Sequence, residues 1–146
     1  MYRAKITNAF GCLLCKKFLK MKNFKKYIKI AAAPEEVYWA LTRPLSLELW
    51  TGSKVEFEET PDSEFSLWNG DIVGKNLEFV EGKKIVQQWY FGDQEPSVVT
   101  IKLHADGNQT SMEFTQTNIP DEDYDDFTEG LEDMYFSELQ SFFEEE

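Results

Sequence analysis

This 146-residue sequence predicts an α+β fold in which a curved antiparallel β-sheet wraps around a long C-terminal α-helix, with two short helices after the first strand. Three observations predict it. Runs of alternating apolar and polar residues recur between Lys54 and Asn118, joined by short turns rich in Gly, Asn and Asp, and such short connections force antiparallel neighbours. Beyond Pro120 the apolar residues recur at threes and fours instead, the spacing of one helix face. Two proline-marked helical segments stand between the first strand and the rest.

The first strand is "NFKKYIKIAA", with Phe24, Ile28 and Ile30 on one side and Lys25, Tyr27 and Lys29 on the other. "APEEVYWALTRP" opens with Pro34 and two acids, a helix-start signature, and Pro44 stops it. "LSLELWTG" reads as a second short helix closed by Gly52.

"KVEFEE" and "EFSLW" read as strands flanking the turn "TPDS". Asn69-Gly70 predicts a two-residue hairpin turn, because both residues tolerate positive φ. "DIVGKNLEFV" follows, its Gly74 marking a bulge or a close backbone approach. Gly82 turns the chain into "IVQQWYF", and "SVVTIKLHA" joins "TSMEFTQTN" at Asp106-Gly107. Alternation places Ile85, Gln87, Trp89 and Phe91 on one face; Val99, Ile101 and Leu103 on another; Met112, Phe114 and Gln116 on a third. His104 then points away from the core, with Lys102.

"PDEDYDDFTEGLE" admits two readings. Asp121, Asp123, Asp125 and Glu132 approximate the spacing of a calcium loop, but the sixth position holds Asp126 where the loop needs glycine. As a helix start, Pro120 suits the first turn and the acids meet its unpaired amides. Tyr124, Phe127, Leu131, Met134, Tyr135, Leu139 and Phe142 then wind onto one face. The helix reading accounts for more of the segment.

Charge divides the chain. The first thirty residues hold Arg3, Lys5, Lys16, Lys17, Lys20, Lys22, Lys25, Lys26 and Lys29 and no acid; the remainder holds 6 basic residues against 27 acidic ones. A body this acidic repels phosphate backbones, which excludes nucleic acid as the expected partner. No stretch approaches the roughly 20 apolar residues of a membrane span, so no membrane association is expected.

Two units are expected, a basic extension over residues 1–20 and a single folded domain over residues 21–146. The extension is either an arm without fixed structure or a stretch outside the native protein. It carries both cysteines, Cys12 and Cys15, as a lone C-x-x-C, too few ligands for structural zinc. Two thiols without a secretory signal fit a reducing, cytoplasmic location.

No G-x-S-x-G elbow, Walker loop, dinucleotide fingerprint or H-E-x-x-H occurs, and one outward histidine gives nucleophilic catalysis little to build on. No catalytic residue, metal ligand or cofactor is therefore expected. The residues that stand out are polar ones among apolar neighbours: Gln87, Gln116 and, within the helix stripe, Glu138. A buried polar group costs a few kcal/mol unless paired, so these either bond to one another or orient a guest. The apolar residues around them, Phe65, Leu67, Trp89, Phe91, Ile101, Met112, Phe114, Leu131, Met134 and Tyr135, are core if the space under the helix is filled and cavity walls if it is open. Trp39 and Trp50 stand at the mouth of that space or simply pack.

From about Lys22 onward the chain resembles the Activator of heat-shock protein 90 ATPase homologue family, within the START-like (helix-grip, Bet v-like) superfamily. "FSLWNGDIVGKNLEFVEGKKIVQQWYF" and "TQTNIPDEDYDDFTEGLEDMYFSELQSFF" carry the resemblance. It implies the helix-grip fold, a cavity for a small apolar ligand between sheet and helix, and, as an alternative, an interaction with a heat-shock protein 90-type chaperone. A cavity enzyme is the third implication, and no residue here supplies a nucleophile with its base. The sequence departs from the family at Leu131, where a tryptophan commonly follows the helix glycine, and 146 residues leave no space for the co-chaperone's separate N-terminal domain.

Overall fold

The structure, a computed structural model, describes residues 21–92 and 94–144. The expected basic extension and its C-x-x-C lie outside the described residues.

Strand β1 (Met21–Ile30) leads into helix α1 (Pro34–Thr42) and helix α2 (Pro44–Thr51). Pro34 occupies the first turn of α1, and the Glu36 carboxylate accepts the Ala33 N–H at 3.3 Å, satisfying one of the amides that a helix start leaves open. Gly52, at φ 74°, ends α2 in the left-handed region that favours glycine. Strands β2 (Glu64–Leu67), β3 (Ile72–Val80), β4 (Lys84–Trp89), β5 (Ser97–Asp106) and β6 (Gln109–Pro120) follow. They form one antiparallel sheet in the order β1-β6-β5-β4-β3-β2. The last element, α3, runs from Tyr124 to Glu144 after a single 3-10 turn at Asp121–Asp123.

The acid cluster opens a helix, as its composition implies, with Pro120 as the last residue of β6. Among the described residues no three His, Cys, Asp or Glu side chains converge as metal ligands.

Gly74 is the predicted close approach. A β-carbon there would stand 1.8 Å from the Gln88 carbonyl oxygen and 3.0 Å from Phe65 Cζ. The bulge lies further along β3, between Asn76 and Glu78.

Three expectations need correction. "KVEFEE" forms only one isolated bridge, Glu56 to Ser66; Val55 and Phe57 half-bury against the core while Glu56 and Glu58 stay in solvent. The Asn69-Gly70 turn is four residues long, Leu67 pairing with Ile72, and Trp68 enters it at φ 51°. A bulky residue rarely adopts that conformation; here the indole N–H donates to the Thr51 carbonyl at 3.1 Å and the ring packs on Trp50.

The third correction concerns α3. Its middle, Leu131–Phe136, is a π-helical turn between α-helical Tyr124–Gly130 and Ser137–Glu144. A π turn bonds i to i+5 and so takes an extra residue around the axis. Leu131, Tyr135, Phe136 and Leu139 therefore share the buried face, while Met134 (43% exposed) and Glu138 rotate outward. The regular 3.6-residue winding assumed for the stripe brings both inward; the added residue removes them.

Candidate functional site

The sheet's concave face carries a row of residues directly opposite one another across five strands: Asn76, Gln87, Val99, Gln116 and Phe24. Three of the five are amides, and all three are buried.

On one side of Val99 the amides are satisfied. Trp89 Nε1 donates to Gln87 Oε1 at 2.8 Å, and Gln87 Nε2 donates to Asn76 Oδ1 at 2.8 Å. Asn76 Nδ2 continues to Ser63 Oγ at 3.1 Å and the Glu58 carbonyl at 3.2 Å. The relay fixes the Trp89 ring and ties the loop before β2 to the sheet. On the other side Gln116 is fully buried, and among the described residues neither its Nε2 nor its Oε1 has a hydrogen-bond partner.

Above this row lie the aromatic side chains of α3. Trp89, Phe114 and Tyr135 touch pairwise, with ring centroids 5.8 to 5.9 Å apart. Phe136 reaches Phe114 at 5.0 Å and stacks on Phe24 at 6.3 Å. Phe127 covers Trp89 at 6.0 Å and Phe91 at 4.9 Å. Trp50, its indole N–H donated to the Ala40 carbonyl at 2.8 Å, packs on Tyr135 at 5.2 Å. Such aromatic pairs contribute about 0.5–1.5 kcal/mol each beyond the area they bury. Burial holds the Tyr135 hydroxyl well above the usual phenol range, and that of Tyr38 rises through burial and its 2.6 Å bond to Glu59.

The structure thus brings Gln87, Trp89, Phe91, Ile101, Met112, Phe114, Gln116, Leu131 and Tyr135 to the sheet face and the helix it grips; Phe65 and Leu67 are buried on β2. Met134 and Glu138 are not among them. Sequence reasoning missed Asn76, Phe24 and Phe136. The β1 alternation did place Phe24 on the core side, but the partner of Gln87 emerges only once the bulge at Asn76/Glu78 sets the register. The described groove of about 350 Å³ lies elsewhere, between β1 and α3, lined by Lys26, Tyr27, Glu132, Asp133, Phe136 and Gln140 among others. Lys26 pairs with Glu132 across it, and Gln140 Nε2 donates to the Lys29 carbonyl at 2.9 Å.

On the opposite face of the sheet His104 Nε2 lies 2.9 Å from Glu113 Oε1, and that contact, with Lys25 nearby, holds the Glu113 carboxyl below the usual range. The pair is remote from the aromatic interior, as the outward position of His104 predicts. No described helix is long and apolar enough to cross a membrane.

A concave antiparallel sheet closed around a C-terminal helix, with paired short helices after the first strand, defines a helix-grip domain of the START-like class. The chain belongs to the family described as "Activator of Hsp90 ATPase homolog 1-like protein", whose model matches residues 31–144. It is 32% identical over 113 residues to the "Activator of 90 kDa heat shock protein ATPase homolog" of Dictyostelium discoideum, covering 75% of this chain and 30% of that protein. It spans about a third of the length of the curated relatives it matches. Among solved structures it is similar to an HSP90 activator from Plasmodium falciparum, at 25% identity and TM-score 0.69, covering 79% of this chain and 90% of that one. The Aha1 dimer from Colwellia psychrerythraea shares the fold at 23% identity and TM-score 0.71, over 84% of this chain and 94% of its own.

Proposed function

We propose that this chain is a non-catalytic interaction module that associates with an Hsp90-type, ATP-dependent chaperone in the cytoplasm. The observation that carries this reading is the aromatic packing of the interior. Trp89, Phe114 and Tyr135 contact one another beneath α3, which supports a core built from the fold's own side chains. Function then passes to the surface. The choice of partner is supported by the family and by the names of the relatives from Dictyostelium discoideum and Plasmodium falciparum. A non-catalytic role is supported by the inner face itself: its amides supply neither nucleophile nor base, and the buried Ser97 and Thr110 hydroxyls donate to the Asn118 and Ala32 carbonyls.

Sedimentation velocity of the full chain with an Hsp90-type chaperone tests this. Co-sedimentation at low ionic strength, weakening as added salt screens the charges, is the expected result. Separate boundaries in every nucleotide state overturn it.

One observation favours a second reading, a START-like module holding a small amphipathic ligand. Gln116 offers a donor and an acceptor to the interior, and a ligand amide or carboxyl there would satisfy both. Mass added to the chain in native mass spectrometry, and lost in Gln116→Leu, would establish that reading.

A further inference from the structure

The exposed side of α3, with the turn that opens it, carries negative charge alone. The segment from Asp121 to Glu144 holds ten carboxylates and no lysine, arginine or histidine. Among the described residues only two of the ten are ion-paired, Asp121 with Lys22 at 3.1 Å and Glu132 with Lys26. Glu122, Asp125, Asp126, Glu129 and Asp133 are all exposed and recur at threes and fours. They form one stripe about 17 Å long at 1.5 Å per residue, and like charges at that spacing destabilise a helix.

The complementary charge is in the same chain. Residues 1–20, which lie outside the described residues, contain Arg3, Lys5, Lys16, Lys17 and Lys20 and no acid. They join the domain beside the stripe, because Met21 pairs with Pro120, the residue before the acid cluster. The first basic residue of β1 already makes such a contact. Lys22 reaches Asp121 and lies 4.8 Å from the Tyr124 ring centroid. Lys16 is five residues from Met21, a reach of up to about 17 Å at roughly 3.4 Å per residue, which matches the stripe. A tether this short gives the lysines an effective concentration on the order of millimolar at the helix.

We propose that the outer face of α3 is the docking surface for the basic segment of residues 1–20 of the same molecule, with Lys16, Lys17 and Lys20 against Glu122, Asp125, Asp126 and Glu129. Neutralising the stripe relieves the repulsion along the helix, and Phe18 and Leu19, between those lysines, cover the half-buried Tyr124. The outer sheet face offers no such selectivity, because its charges are mixed and Lys25, Lys29 and Lys84 are already paired with Glu113, Asp106 and Glu78. The inference stands apart from the chaperone reading, since both partners belong to this chain.

Both cysteines lie in the basic segment, so the full chain with Cys12→Ser takes a single nitroxide label at Cys15. Paramagnetic broadening of amide signals then reports where the segment sits. The expected result is loss of about half or more of the amide intensity from Glu122 to Asp133 at low ionic strength, receding by about 0.5 M salt. Broadening from the tether alone is indifferent to salt. Lys16→Gln/Lys17→Gln/Lys20→Gln, outside the folded domain, removes the salt-dependent part, and so does Glu122→Lys/Asp126→Lys/Glu129→Lys. Glu56→Lys/Glu58→Lys/Glu64→Lys, at the opposite sheet edge, leaves it in place. Dilution with unlabelled protein leaves it unchanged. Broadening that ignores salt, that survives the lysine substitutions, or that falls on dilution as a contact between copies does overturns the proposal.

Discussion

Gln87 and Gln116 face Val99 from opposite sides in one cross-strand row, and of the two only the Gln87 side chain is hydrogen-bonded among the described residues. It accepts from Trp89 and donates to Asn76, so it is the middle of a relay that reaches the loop before β2. Gln87→Leu leaves the Trp89 N–H and the Asn76 carbonyl unpaired in the interior, each costing about 1–3 kcal/mol. Urea denaturation of the variant should show a loss of about 2–4 kcal/mol with an unchanged m value. A loss below about 1 kcal/mol would mean that the relay contributes little.

Gly74→Ala places its methyl group against the backbone carbonyl of Gln88, which no rotamer change can clear. The β3–β4 pairing must shift, at the point where Trp89 enters the core. We expect destabilisation of more than about 3 kcal/mol, or failure to fold, read as a drop in Tm. An unaltered Tm would contradict the close approach.

Much of this architecture is legible in the sequence because it rests on short-range physics. Pro34 and Pro44 punctuate α1 and α2, Gly52 closes α2, and the Asp121–Asp126 acids open α3, each acting within one turn of its own position. The candidate site was legible in part for the same reason: alternation alone puts Gln87, Trp89, Phe114 and Gln116 on inner faces. What escaped depends on register. Asn76 meets Gln87 only through the strand bulge, and Met134 and Glu138 leave the buried stripe only because α3 takes a π turn. Trp68 bends back through a left-handed conformation that its side chain alone disfavours and its packing on Trp50 stabilises.

The π turn makes a prediction of its own. At about 100° per residue, deleting the exposed Asp133 lets an unbroken α-helix keep Leu131, Tyr135, Phe136 and Leu139 on one face. The deletion should therefore cost less than about 2 kcal/mol and leave the far-ultraviolet circular dichroism helical. Loss of folding would show that the wide turn is required for more than register.

Tyr135, like Tyr38, contributes to the alkaline limit of stability. Burial raises its hydroxyl pKa in the folded state, so above pH of about 10 the unfolded chain loses this proton while the folded chain keeps it. Stability is fully present below that pH and falls as pH rises, by up to about 1.4 kcal/mol per unit for this one group. Tyr135→Phe should remove that part of the slope in denaturation midpoints measured from pH 8 to about 11. An unchanged slope would place the hydroxyl in solvent.

The central claim is that the interior beneath α3 is complete without a guest, and the stability of purified Gln116→Leu tests it most directly. Replacing an amide with two orphaned buried atoms by an apolar group of similar size should raise the unfolding free energy by about 1–3 kcal/mol. A fall of similar size would contradict the account, because it would mean that Gln116 hydrogen-bonds something the protein holds inside.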